Sequence, residues 1–94
     1  MKMVMLVVDA AHKEELEVVL ERAGVTGYTE LAPATGVGTT GPRLGSRAFP
    51  DRSAVVFTLV DDAHLEPLVS TVRSFCEDCT ERAKMIAWDV EEML

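Results

Sequence analysis

Two stretches of this chain are apolar at nearly every position: MVMLVV over residues 3–8 and AVVFTLV over residues 54–60. In an extended segment successive side chains point to opposite faces. Val4, Leu6 and Val8 therefore cannot share a side with Met3, Met5 and Val7. Each stretch predicts a strand buried on both faces. A chain of 94 residues makes one compact domain of a few elements, so it has little material with which to cover two sheet faces.

The remaining pattern says what that material is. Asp9 follows the first apolar run and predicts the cap of a helix beginning near Ala10. Leu16, Val19, Leu20 and Ala23 then recur on one helical face, with Lys13, Glu14, Glu17 and Glu21 on the other. Gly24 supplies the stop, because glycine enters the left-handed conformation without a Cβ penalty. Val25 to Leu31 is β-rich and runs into Pro33, which predicts a second strand. Asp61 or Asp62 caps a second helix with Leu65, Leu68, Val69 and Val72 inward, and Pro67 is tolerable there only in the first turn. A last strand starts at Arg82 or Lys84. In it Ile86, Trp88 and Val90 alternate with Met85, Ala87 and Asp89, and Trp88 is assigned to the core.

The order βαββαβ, with right-handed crossovers, predicts an α+β domain over residues 1–94. Its architecture is ferredoxin-like, a four-stranded antiparallel sheet with both helices on one face. Two helices on one face leave the other bare. An apolar face of several hundred Å² is rarely left in water, so the prediction is a homo-oligomer. The alternative cover is the C-terminal VEEML, which is short and acidic for the task.

Charge narrows the function. The net charge of −7 argues against nucleic acid, whose phosphates call for a basic face. Residues 34–52 are the exception: Arg43, Arg47 and Arg52 stand against Asp51 alone, a local +2, which leaves the rest of the chain at −9. A basic, glycine-rich connection on an acidic body suits a small anion or an acidic partner surface. No apolar run is long enough to span a bilayer, and no small-residue cleavage site follows the first one. With only two cysteines, the expected location is cytoplasmic.

The connection itself, Ala34 to Arg52, runs nineteen residues. Connections that long are uncommon in compact domains unless they are functional or disordered. In Thr35-Gly36-Val37-Gly38 the main chain can approach a ligand closely, and successive amides there can form an anion nest. A lone GxG without strand-to-helix context is a weak phosphate signal, and a turn-rich hairpin tip accounts for it equally.

The stretch GVTGYTE (residues 24–30), the glycine-rich loop with GPRLGSRAFP, and KMIAWDVEEM resemble the P-II signal-transduction superfamily over nearly the whole chain. The resemblance is strongest to the small, divergent P-II-like proteins of bacteria. It implies a homotrimer of ferredoxin-like subunits with sheets facing inward. It also implies a small anionic ligand, with an adenine nucleotide as candidate, in clefts between subunits. Residues 34–52 stand where that superfamily keeps its T-loop, which signals to a target protein such as a membrane transporter or a metabolic enzyme. Carried over residue by residue, Gly36 and Gly38 give main-chain contacts at the loop base and Lys84 a phosphate contact. Arg43 and Arg47 supply charge. The chain also departs from the pattern: FCEDCTERAK replaces the glycine-rich TGxxGDGK, and the T-loop tyrosine is absent, Tyr28 lying outside the loop. Both departures argue for a ligand other than the ATP and 2-oxoglutarate of nitrogen signalling.

Cys76-Glu77-Asp78-Cys79 is a lone CxxC. It offers half of a structural zinc site, which neighbouring copies or His12, His64 and nearby acids would have to complete. A metal-responsive trimer using Cys76 and Cys79 to hold a divalent metal, similar to divalent-metal tolerance proteins, is the second reading. His12 and His64 fall at helix starts, where exposure is the ordinary outcome, and Asp61-Asp62 is a helix cap before it is a carboxylate pair. No nucleophile and base stand at suggestive positions, so no catalytic residue is assigned and the expectation is a protein that is not an enzyme.

Overall fold

Alternation in the first strand decides how the molecule is layered. The computed structural model describes residues 1–39, 41–75 and 83–94. Strand β1 (Lys2–Asp9) leads through a short 3-10 turn (Ala10–His12) into helix α1 (Lys13–Arg22). Strand β2 (Thr29–Ala34) is followed by two short strands, β3 (Gly36–Gly38) and β4 (Gly41–Arg43). Strand β5 (Ser53–Val60), helix α2 (Asp62–Phe75) and strand β6 (Ala83–Asp89) complete the chain. The main sheet is antiparallel throughout, in the order β2-β5-β1-β6, which is the ferredoxin-like arrangement.

One face of that sheet makes the core. Val4, Leu6 and Val8 of β1 and Ala54, Val56 and Val60 of β5 pack with Leu16, Val19 and Leu20 of α1 and Leu68 and Val72 of α2. Burying a side chain of this size contributes about 1.5–3 kcal/mol. The buried polar side chain among them, Thr58, donates its hydroxyl to the Gly27 carbonyl at 2.7 Å, so it carries no unmet hydrogen bond.

The helices begin and end largely as their sequence requires. Asp9 Oδ1 accepts the Ala11 amide at 2.9 Å and caps the turn that leads into α1. Gly24 adopts φ 81° at the far end, and the Val25 amide returns to the Leu20 carbonyl at 3.0 Å. That return corrects the start of the second strand. Val25 closes the helix and Gly27 holds Thr58, so β2 begins at Thr29. It also runs past Pro33, because β2 is an edge strand whose register shifts between Leu31 and Ala34. Pro67 is a second correction: it lies well inside α2, beyond the first turn. The Ala63 carbonyl that would have taken its missing amide hydrogen belongs to an exposed residue, where water can serve.

The other sheet face is open. Met5 lies between Phe57 and Ile86, Met3 between Leu59 and Trp88, and Val7 between Val55 and Lys84. Leu31 extends the last row beyond Val55. Here the structure overturns the placing of Trp88 in the core. The alternation of β6 is as expected, but Ala83 and Met85 are the residues that face the helices, opposite Val8 and Leu6. Trp88 and Ile86 are left 43% and 41% exposed on the open side. The C-terminal segment does not cover that face, since Met93 and Leu94 are fully in solvent.

Candidate functional site

The connection between β2 and β5 carries more order than its glycines suggest. Gly36 pairs with Arg43, Val37 with Pro42 and Gly38 with Gly41, so β3 and β4 form a narrow hairpin. After it, residues 44–51 close on themselves. The Leu44 and Ser46 amides donate to the Phe49 carbonyl, the Phe49 amide to Ser46 Oγ, and the Gly45 amide to the Asp51 carbonyl. Gly45 is required in this turn: its φ is +62°, and a Cβ there would run into the Arg52 guanidinium. The Ala10 amide donates to the Arg52 carbonyl at 2.9 Å, fixing the exit into β5.

The base of the hairpin is fastened by charge. Arg43 Nη1 donates to Asp9 Oδ2, and the two side chains are only 16% and 17% exposed. Both oxygens of Asp9 are thereby engaged, one capping the turn before α1 and the other holding Arg43. Burial pushes the Asp9 carboxyl upward. The Ala11 amide and the Arg43 guanidinium outweigh it, with a smaller contribution from His12, and hold the pKa below the ordinary 3.8. A carboxylate lowered on folding adds stability that is fully present above about pH 3.8 and is lost as the pH falls through the folded value. Asp9→Asn is expected to cost about 1–2 kcal/mol at neutral pH. Urea unfolding at a series of pH values should show that deficit shrinking toward zero on the acid side of this window.

The other residues expected at the site are placed as follows. Gly36 and Gly38 are exposed, with nothing within 4 Å of where a Cβ would stand, so their main chain is open to a ligand. Arg47 is exposed on the closed turn, between the partly exposed Leu44 and Phe49. Lys84 is exposed on β6 opposite Val7 and ends a row of the open sheet face. Asp9 stands two residues beyond Val7, so the Arg43 anchor and Lys84 occupy the same end of the sheet on neighbouring strands. The pairing of Asp9 with Arg43 was not foreseen from the sequence, where Asp9 served only as a cap. The available signal was the basic excess of residues 34–52 against an acid at a strand end.

Cys76 and Cys79 lie outside the described residues. Among the described residues, no group of three or more His, Cys, Asp or Glu side chains is arranged to hold a metal ion. His12 meets Glu15 at 3.2 Å and His64 meets Asp61 at 3.7 Å, both as exposed local pairs. No helix among the described residues is long and apolar enough to cross a membrane.

Comparison with known proteins agrees with this geometry. The family model described as nitrogen regulatory protein P-II matches residues 1–93. The chain is similar to CPII, a nitrogen regulatory PII-like protein from Thiomonas intermedia, in its structure bound to ADP, AMP and bicarbonate. The identity is 26% and the TM-score 0.77, over 95% of this chain and 84% of that one. The structure of CPII bound to ADP and bicarbonate gives 27% identity and a TM-score of 0.77 over the same shares. The apo form, at 24% identity and a TM-score of 0.71 over 95% of this chain and 87% of that one, shares the fold. No match is found among curated proteins.

Proposed function

The chain belongs to the P-II family of nitrogen regulatory proteins, and from that premise we propose that it is a homotrimeric regulator that binds a small anion, an adenine nucleotide by preference, in clefts between subunits. Its loop, residues 34–52, carries the signal to a partner protein. Members of the family are signal transducers, not enzymes. A transporter or a metabolic enzyme is the class of partner proposed, and the cytoplasm the compartment.

The observation that carries the reading is the open sheet face. Met3, Met5, Val7, Phe57, Leu59, Ile86 and Trp88 form a continuous apolar surface that neither helix nor tail covers. A surface of this kind is stable in water when copies of it meet. Trimeric assembly is typical of the family. Association through this face brings a neighbouring subunit up to the row that ends in Lys84, at the same end of the sheet as the loop base. A cleft formed there has an ammonium group on one wall and exposed glycine main chain near its mouth, the chemistry that suits a phosphate. CPII with ADP, AMP and bicarbonate provides the precedent for the ligand class.

Light scattering combined with titration calorimetry tests both halves. The expected results are a mass close to three times the 10.3 kDa of one chain and saturable binding of ADP or AMP. A monomer at micromolar concentration would remove the cleft. A trimer silent to both nucleotides would remove the ligand class and leave the assembly standing.

A further inference from the structure

The β3–β4 hairpin pairs with no strand of the four-stranded sheet among the described residues. Its position relative to the body is therefore set by β2, from which it runs on, and by side chains at its base. Of these, Arg43 is bound to Asp9 in a setting shielded enough that the pair is not dissipated by water. Gly36, whose main chain is exposed, is the cross-strand partner of Arg43. An anion bound at the Gly36 main chain would stand beside the residue that carries this guanidinium.

We infer that the Asp9–Arg43 pair is a latch, holding the hairpin against the junction of β1 and α1, and that an anion bound at the loop base moves the loop by acting on this pair. The second half rests on the nucleotide reading above; the first does not. Arg43 is on this account a positioning residue. Its guanidinium can hold the Asp9 carboxylate or an incoming anion. The two acceptors repel each other, so two arrangements of the loop base compete instead of blending. A ligand shifts such an equilibrium only through unequal affinity for its two states, and here the difference is whether Arg43 is still held by Asp9. The closed turn of residues 44–51 follows directly on Arg43, so release of the latch frees its N-terminal side while its exit stays held at Arg52.

Trypsin provides the readout, because Arg47 lies in that turn. Asp9→Asn keeps an oxygen to cap the Ala11 amide while removing the charge, and Arg43→Gln removes the charge from the other side. Cleavage after Arg47 should be roughly tenfold faster in either variant than in the unaltered trimer, as expected where cleavage follows the open population. Cleavage after Arg22, at the far end of α1 from the pair, should rise by a smaller factor than cleavage after Arg47, and an equal rise at both sites would overturn a local effect. Equal rates after Arg47 in all three proteins would overturn the latch. ADP is then added at saturation, with binding followed separately by calorimetry. It should change the rate in the unaltered protein and leave that of Asp9→Asn unmoved. Equal changes in both would overturn the coupling. If calorimetry shows that ADP does not bind, the nucleotide reading fails by itself, and the latch is judged on the ligand-free rates.

Discussion

Replacing Met5 with glutamate is expected to turn the proposed trimer into single chains. Met5 sits mid-strand in β1, between Phe57 of β5 and Ile86 of β6, at the centre of the uncovered face. In an isolated subunit the side chain is half-buried and borders water, so a carboxylate there can remain hydrated and the helix-side core is untouched. In the proposed trimer the same carboxylate would be enclosed mainly by apolar side chains, with Lys84, one row along on β6, as the only cation of this face near it among the described residues. Such enclosure costs several kcal/mol for each ion, and symmetry repeats it in every subunit. Light scattering should report one chain mass while far-UV circular dichroism stays close to that of the parent. Val18→Glu on α1 is the control, since Val18 is exposed on the helix layer and its variant should stay assembled. If Met5→Glu retained the mass of three chains, the contact would have to lie elsewhere, and the cleft beside Lys84 would lose its second wall.

The residues that make this prediction possible were legible without coordinates, and the reason is periodicity. The two apolar strands are apolar on both faces, and two helices packed on one face leave the other bare. The same periodicity was silent on which side of β6 faces the helices. Met85 and Trp88 are both apolar and lie on opposite faces, so alternation alone leaves two solutions. The register against β1, which sets Met85 opposite Leu6 and Trp88 opposite Met3, chooses between them. A large aromatic is assigned to a core by its size, but a subunit surface can take it as well.

Local rules failed where a neighbour in space supplied what the local chain lacked. The run from Val25 has the composition of a strand, yet its first residues serve to end α1 and to satisfy Thr58 across a gap of 31 residues. Pro67 breaks the rule for helix interiors because the carbonyl it orphans lies on an exposed turn. The sequence of residues 34–52, rich in glycine, leaves open whether the connection is ordered. What orders it is a pairing 34 residues long in sequence, Asp9 with Arg43, together with the hydrogen bond that the Ala10 amide donates to the Arg52 carbonyl and those within residues 44–51. No window of residues contains that information. Only the excess of arginine in the connection hinted that the acidic body was its counterpart.

That charge arrangement also sets the size of the second large effect. The chain carries a net charge of −7, and an anion approaching it meets repulsion except where a cation is held locally. Arg43 is held by Asp9 until an anion competes for it, so Lys84 is the cation that stands ready for a phosphate in the proposed cleft. Lys84→Glu replaces one charge-assisted hydrogen bond by a like charge at the same spot. Loss of such a bond alone is worth about 1.5–3 kcal/mol. The reversal is therefore expected to weaken ADP binding about a hundredfold, with Lys84→Gln about tenfold weaker than the parent. Because the contact is electrostatic and partly exposed, the parent's affinity should also fall as salt is raised, and that of Lys84→Gln should fall less. Arg47, a candidate ligand residue by its charge, stands exposed on the closed turn beyond the hairpin base, so Arg47→Ala should weaken ADP binding less than Lys84→Gln does, by about twofold. Calorimetry on the four proteins at two salt concentrations checks the order. Should Lys84→Glu bind ADP as the parent does, Lys84 makes no phosphate contact, and the ligand would have to be sought away from this end of β6.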